Sequence, residues 1–112
     1  MAILNVQDVG ASGLAPAFAA AAAGGDEFPL SEHVVLRVKN GGAASITVTL
    51  KTKKPSNYGE SNDVVFNVAA GAEMSIRPGA IKGGIERFAN GNGRAEVTYS
   101  AVASVTVAVV GA

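Results

Sequence analysis

Apolar and polar residues alternate strictly in several short segments of this chain, and this pattern restricts the possible folds more than any other feature. In residues 33–39, Val34, Leu36 and Val38 fall on one face, with Arg37 and Lys39 on the other. A period of two is typical of a strand that buries one face. The alternation recurs at residues 45–51, 63–68, 73–76, 94–100 and 102–110. These segments therefore predict β-strands that share a core.

Turn-forming residues separate the predicted strands. Residues 40–42 read Asn-Gly-Gly, and residues 69–72 read Ala-Ala-Gly-Ala. Such residues supply the backbone conformations of tight turns, so we expect the strands at 33–39 and 45–51 to form a hairpin. Residues 52–62 are mostly polar and predict an exposed loop at one end of the fold.

The spacing of these strands predicts an all-β fold. A further short strand is expected between residues 80 and 92, near Ile85 and Phe88. With it, about seven to eight antiparallel strands at regular intervals are typical of a small β-sandwich or jelly roll. A length of 112 residues suits one domain with one core. We place the body of that domain at residues 33–112.

Residues 1–32 differ from the body in composition. Alanine occupies eight of the thirteen positions from 11 to 23. Pro16 lies within this stretch, and the glycine pair 24–25 follows it. Alanine favours helix in isolation, so a short helix over residues 17–23 is one interpretation. Proline, the glycine pair and the small side chains also suit an extended N-terminal arm or edge strand lying close along the body. We favour the arm.

The charges are unevenly distributed along the chain. Residues 1–32 hold four acidic and no basic residues, and the remainder holds nine basic and five acidic ones, which gives −4 and +4 in a chain of zero net charge. This asymmetry suggests that the leading segment lies against a basic surface, either of its own body or of a neighbouring copy. Scattered, solvated charges explain the pattern about equally well.

The chain offers few groups for catalysis or metal binding. It has no cysteine, and its single histidine, His33, has no second zinc ligand at a suitable spacing. Ser12 lacks the strand and helix that surround a catalytic nucleophile. The carboxylates suit solvated positions better than a glycosidase pair, and Asp26 with Glu27 is too small a set for calcium. We predict a protein without enzymatic activity, metal or cofactor.

Neither nucleic acid nor a membrane is a predicted partner. Lys51, Lys53 and Lys54 form a small basic group in a neutral chain. Nucleic-acid modules normally show a larger basic face with interleaved stacking aromatics. No segment approaches the roughly 20 apolar residues of a membrane span. The first ten residues also lack the features of a signal peptide, so we expect a soluble protein made in a cytoplasm.

Four segments resemble a family of small tailed-bacteriophage virion proteins. They are AAAAGGDEFP at 20–29, VVLRVKNGGAASITVTL at 34–50, DVVFNVAAGAEMSIRPGAI at 63–81 and RAEVTYSAVASVTVAVV at 94–110. The resemblance covers most of residues 20–110 in order. It departs at the long loop 53–62 and at the glycine-rich segment 81–92. Its motifs consist of strand and turn residues, without a catalytic signature.

The resemblance implies a structural virion protein of the capsid decoration (cement) or minor head type. Such a protein is made in the host cytoplasm and then binds the major capsid protein on the capsid exterior. We expect a homo-oligomer, a trimer, because several weak contacts linked on one oligomer release only together. The residues expected to contact the shell are Ala2, Ile3, Leu4, Asn5, Val6, Leu14, Pro16 and Phe18. Phe28 and Pro29 are expected to anchor the arm, and Lys53, Lys54 and Tyr58 to lie in the exposed loop.

Two alternatives stay open from the sequence. A ligand- or carbohydrate-binding sandwich on the virion surface needs a concave face where Tyr58, Tyr99 and acidic side chains converge. A tail or connector protein with the same fold occupies a different position on the virion, which strand and turn residues do not distinguish.

Overall fold

The chain folds into two packed β-sheets. The computed structural model describes residues 2–8, 13, 16–53, 62–81 and 85–111. These residues form ten strands and two short 3₁₀ helices, η1 (Pro78–Ala80) and η2 (Ile85–Phe88). The strands are β1 (Ala2–Ile3), β2 (Val6–Asp8), β3 (Ala19–Ala20), β4 (Asp26–Pro29), β5 (Val34–Asn40), β6 (Ile46–Leu50), β7 (Val64–Val68), β8 (Glu73–Ile76), β9 (Arg94–Tyr99) and β10 (Val105–Gly111). The predicted all-β class is confirmed.

Each sheet mixes parallel and antiparallel pairs. Sheet A has the order β1-β4-β9-β6-β7, and sheet B has the order β2-β10-β5-β8, with β3 also beside β10. The parallel pairs are β1 with β4 and β2 with β10. The prediction of seven to eight antiparallel strands was too low and missed these pairs, because β1, β2 and β3 have only two or three residues each and show no alternation.

The core lies between the sheets, on the faces that the alternation predicts. Val34, Leu36 and Val38 of β5 are buried, while Arg37 is half-buried and Lys39 exposed. The inward side chains of β6 are also buried, whereas Val64 and Phe66 of β7 are half-buried. The largest fully buried side chains include Phe28, Phe88, Leu36, Leu50, Val38, Val48, Val68, Val97, Val105, Val107 and Val109.

The predicted hairpin of residues 33–39 and 45–51 is wrong. In the structure β5 pairs with β8 and β10 in sheet B, whereas β6 pairs with β7 and β9 in sheet A. The chain therefore crosses from one sheet to the other at residues 41–45. Alternation sets which face of a strand is buried but not which strand lies beside it, and glycine-rich turns serve a crossing as well as a hairpin.

Asn40 fixes this crossing. Its side chain is almost fully buried, and its Nδ2 donates to the carbonyl oxygens of Ala44 at 2.8 Å and Val68 at 3.1 Å. Its Oδ1 accepts the Gly42 N–H at 3.1 Å. Its backbone N–H donates to the Ala72 carbonyl at 2.9 Å. One residue at the end of a sheet B strand thus binds the end of β7 in sheet A.

The second turn at residues 69–72 carries the chain back to sheet B. The Ala72 N–H donates to the Ala69 carbonyl at 3.0 Å, and Gly71 has a φ of +75°, which other residues rarely adopt. The Gly71 N–H donates to the Asn40 carbonyl at 2.8 Å. The turn predicted from the sequence is confirmed, and it packs against the first crossing.

The short strand expected near Ile85 and Phe88 is wrong, because these residues form the 3₁₀ helix η2. Arg87 and Phe88 are both buried. Neighbouring residues in a strand point to opposite faces, so a strand at the surface of a sandwich cannot bury both. A helical turn can.

The N-terminal region is part of both sheets. The helix considered for residues 17–23 does not form, since Ala19–Ala20 are strand β3. Asp26–Pro29 form β4, which lies between β1 and β9 inside sheet A. The division predicted at residue 32 therefore falls after the first interior strand of the fold.

Replacing Asn40 with alanine is expected to lower the free energy of unfolding by about 2–3 kcal/mol, because the buried Val68 carbonyl and the more exposed Ala44 carbonyl both lose their donor. Urea denaturation of the Asn40→Ala variant measures this loss. The matched control is Asn67→Ala, at an exposed position of β7, with an expected change within about 0.5 kcal/mol. Equal effects of the two substitutions would contradict the role assigned to Asn40.

Candidate partner-binding surface

Residues 2–8 lie across one side of the sandwich and pair with both sheets. The Ala2 N–H donates to the Gly25 carbonyl at 3.3 Å, and the Leu4 N–H donates to the Glu27 carbonyl at 2.7 Å. Leu4 and Val6 pack against the core, while Ala2, Ile3 and Asn5 are exposed. The half-buried Leu4 and Val6 therefore hold the segment in place, and the exposed side chains remain accessible to a partner.

A groove of about 360 Å³ lies next to this segment. Its lining residues carry no charge, and several are alanines. They are Ile3, Leu4, Asn5, Gln7, Ala17, Ala19, Val107, Ala108 and Val109. We call these residues, together with the exposed Ala2, the N-terminal surface.

The side chain of Gln7 holds the two halves of the N-terminal surface together. Its Nε2 donates to the Ala17 carbonyl at 2.8 Å, and its Oε1 accepts the Ala17 N–H at 2.8 Å. This reciprocal pair reproduces the hydrogen bonds of a neighbouring strand. Residues 16–20 are thereby fixed beside β2.

Phe18 lies over basic side chains of β5. The Lys39 Nζ is 4.0 Å and the Arg37 Cζ 5.5 Å from the centre of the ring, which is cation–π geometry. The Arg37 Nε also donates to Glu73 at 2.7 Å, so its position is fixed from both sides. The segment expected as an arm thus lies on the body at this point.

The residues predicted to contact the shell meet at one side of the fold. Residues 2–6 lie there with the half-buried Pro16 and Phe18, while Leu14 falls outside the described residues. Of the two predicted anchors, Phe28 is fully buried in the core and Pro29 is exposed at the end of β4. Lys53 is exposed; Lys54 and Tyr58 fall outside the described residues.

An ion pair and a backbone hydrogen bond join the acidic leading segment to basic side chains of the body. Glu27 lies 3.1 Å from the Arg94 Nη1. The Arg77 Nε donates to the backbone carbonyl of Glu32 at 2.8 Å. The charge asymmetry of the sequence therefore has a partial structural counterpart within one chain.

A polar network holds the two ends of the loop that follows Lys53. The Thr52 N–H donates to Asp63 at 2.8 Å, and Arg87 donates to Thr52 and to the carbonyl of Asn62 at 3.2 and 2.9 Å. The hydrogen bond from Thr52, with help from Lys51, lowers the pKa of Asp63 below its ordinary value. Sequence reasoning missed this network, because its members are far apart along the chain.

A second polar contact that the sequence did not reveal joins Asp26 and Tyr99. Asp26 is buried, and the Tyr99 hydroxyl donates to its Oδ2 at 2.7 Å. Burial, together with this hydrogen bond, raises the pKa of Tyr99. The hydroxyl is therefore engaged inside the fold, and the concave binding face considered for Tyr58 and Tyr99 gains no support.

The described residues contain no group of three or more His, Asp or Glu side chains that could hold a metal ion. His33 is exposed. In the part of the chain that the structure describes, no helix is long and apolar enough to cross a membrane.

Comparison with known proteins gives no relative for this chain. No family model, curated protein or solved structure matches it. The N-terminal surface is thus the best candidate for a functional site on geometry alone.

Replacing Tyr99 with phenylalanine is expected to cost about 2 kcal/mol at neutral pH, because the buried Asp26 loses its hydroxyl donor. The raised pKa means that the Tyr99 contribution is complete below the ordinary value of 10.0 and is lost as the pH rises above it. Urea unfolding between neutral and alkaline pH should therefore show a weaker alkaline decline in the Tyr99→Phe variant. An unchanged decline would contradict this assignment.

Asp63 should make a small contribution to the loss of stability at acid pH. Its lowered pKa means that its contribution to stability is present above the ordinary value of 3.8 and is lost as the pH falls below it. The Asp63→Asn variant should lose part of the acid-side decline in thermal unfolding temperature. An acid-side decline in the Asp63→Asn variant equal to that of wild type would contradict this assignment.

Proposed function

We propose that this protein is a capsid decoration protein of a tailed-bacteriophage virion, which binds the major capsid protein on the outside of the shell and stabilises it. The resemblance of four sequence segments to small virion proteins supports this role. The all-β fold is compatible with it, and the N-terminal surface provides a place for the contact.

The observation that carries the proposal is the character of the N-terminal surface. The groove is uncharged, and the exposed alanines at positions 17 and 19 allow another backbone to approach closely. Asn5 supplies an exposed amide group to the groove, whereas the Gln7 amide is paired with Ala17. A surface of this kind suits an extended segment of a protein, because main-chain hydrogen bonds and small apolar contacts are sufficient to hold one.

The polar groups buried elsewhere support the fold. Asn40 binds the two sheets together, Asp26 accepts the Tyr99 hydroxyl, and Arg87 binds the ends of a loop. In these hydrogen bonds the buried polar side chains stabilise the fold. A fold stabilised in this way suits a protein that acts by adhesion to a shell.

A decoration protein binds a shell more tightly when several copies are linked in one oligomer. A homo-oligomer, which we propose to be a trimer, presents several N-terminal surfaces to one group of capsid subunits. Each contact then needs only modest affinity, because release requires all of them to open together. Stabilisation of the shell follows from bridging adjacent subunits.

The test introduces a negative charge into the groove. Ala17→Glu and Ala19→Glu place a carboxylate on exposed positions of the N-terminal surface and should leave the fold intact. Each should reduce co-sedimentation of the protein with expanded capsids by about tenfold or more, as expected for a desolvated, unpaired charge. Ala70→Glu, at an exposed position of the turn at residues 69–72 and outside the groove lining, is the matched control and should bind as wild type does. Undiminished binding by both groove variants would overturn the proposed contact.

Cryo-electron imaging of virions that carry a labelled copy of the protein tests the location. Density spread over the shell surface is the expected result. Density confined to the tail or connector would overturn the decoration role.

A further inference from the structure

An amine, a carboxamide and a carboxylate meet on the outer face of sheet A, just beyond the end of β6. The Lys53 Nζ lies 2.8 Å from Oε1 of Glu96. The Asn90 Nδ2 donates to Oε2 of the same carboxylate at 2.9 Å. One carboxylate therefore holds the amine and the carboxamide side by side. Such positioning favours a reaction between them, because an amine can displace ammonia from a primary amide.

Backbone hydrogen bonds place Lys53 beside Glu96. Strand β6 pairs with β9, and the Lys51 N–H continues this pairing by donating to the Glu96 carbonyl at 2.9 Å. Two residues further on, the Lys53 N–H donates to the Arg87 carbonyl at 2.6 Å. Lys53 thus lies diagonally opposite Glu96 on the same face of the sheet, at a spacing that long side chains bridge.

The side-chain carbonyl of Asn90 is polarised by two backbone donors. Its Oδ1 accepts the N–H groups of Asn92 at 2.9 Å and Arg94 at 3.1 Å. Two backbone N–H groups on one carbonyl oxygen have the arrangement of an oxyanion hole, which stabilises the negative charge that forms when a nucleophile adds. The Asn90 N–H donates to the Arg94 carbonyl at 2.8 Å, and the Gly93 N–H donates to the Asn90 carbonyl at 3.0 Å. The turn that carries the donors is therefore closed.

Glu96 is placed to move protons between the two reacting groups. Its side chain is only 17% exposed and contacts both of them. Hydrogen bonds from Lys53 and then from Asn90 lower the pKa of Glu96, so the carboxylate is ionised at neutral pH and can accept a proton. The neighbouring basic side chains Lys51 and Arg94 are paired with other carboxylates.

We propose that Lys53 and Asn90 form an intramolecular isopeptide bond, with Glu96 as the catalytic residue. Glu96 takes a proton from the Lys53 ammonium, and the resulting amine attacks Cγ of Asn90. The Nζ–Cγ bond forms and the Cγ–Nδ2 bond breaks. Nδ2 leaves as ammonium with the two protons that Lys53 loses, and Glu96 returns to its carboxylate form. The reaction consumes no other reactant.

The bond would close a covalent ring from residue 53 to residue 90 and join the first residue of the long loop to the turn before β9. A cross-link of this kind stabilises a protein chiefly by restricting the unfolded chain. In a chain without cysteine, an isopeptide bond supplies the restraint that a disulfide gives elsewhere, and reductants do not break it. This inference does not depend on the capsid role.

Mass spectrometry of the intact wild-type chain tests the bond directly. The expected mass is lower than that of the 112-residue sequence by one ammonia. Digestion with trypsin should give a peptide that contains Lys53 covalently joined to residues 88–94, because trypsin does not cleave after a modified lysine. A wild-type chain that keeps the full mass of its sequence after prolonged incubation at neutral pH would overturn the proposal.

Two variants separate the roles of the amine and the carboxylate. Lys53→Arg and Glu96→Gln should both keep the full mass of their sequences, with circular dichroism spectra of a folded chain. Lys51→Arg, near the site but paired with another carboxylate, is the matched control and should lose ammonia as wild type does. Loss of ammonia by Lys53→Arg would indicate a succinimide between Asn90 and Gly91 and would overturn the proposal. Cross-linking of Glu96→Gln at the wild-type rate would overturn the catalytic role of Glu96.

Thermal unfolding measures the effect of the bond on stability. The wild-type chain should unfold roughly 10 °C above Lys53→Arg, as expected for closure of a ring of this length. The Lys51→Arg control should unfold close to wild type. Equal unfolding temperatures of wild type and Lys53→Arg would overturn the stabilising role of the bond. None of these measurements uses a capsid, so loss of capsid binding by a cross-linked chain would remove the proposed function and leave this inference standing.

Discussion

The hydrogen bonds of Asn40 are the constraint on which the rest of the structure depends. β5 ends at this residue in sheet B, and its carboxamide binds the carbonyl of Val68, at the end of β7 in sheet A. The same residue orders the turn at Gly71 through its backbone carbonyl. Because a buried carbonyl without a donor is costly, the two turns and the two sheets have to meet in one arrangement. These crossings place β5 and β8 in sheet B and β6 and β7 in sheet A.

The N-terminal region closes the opposite side of the sandwich by different means. Residues 2–8 pass from sheet A to sheet B as two short strands, both parallel to their neighbours. Leu4 and Val6 join the core, and Gln7 holds the alanine-rich segment in place. The same stretch therefore serves the stability of the fold and supplies the exposed, uncharged groups available to partners. A large truncation here would test both properties at once, which is why single exposed positions are more informative.

The inward faces of the longer strands were predictable from the alternation of residues. Val34, Leu36 and Val38 are buried because a period of two leaves no other way to shield them. Residues 2–6 and Phe18 lie at the same side of the fold, and their contact with a partner stays a prediction. The partner strands of β5 were not predictable, because the choice between a hairpin and a crossing depends on the distant carbonyl of Val68. The Asp26–Tyr99 contact joins residues 73 positions apart, and neither has a local signature.

The sequence by itself determined the class of the fold, the buried faces of its longer strands and the scarcity of reactive groups. These properties are local, since alternation, turn residues and composition act over a few neighbouring positions. Only the tertiary structure decided which strands are neighbours, that the first residues form edges of both sheets, and that Arg87 and Phe88 are buried together in a 3₁₀ helix. Such outcomes depend on hydrogen bonds and packing between segments far apart in the chain, and no local pattern encodes those distances.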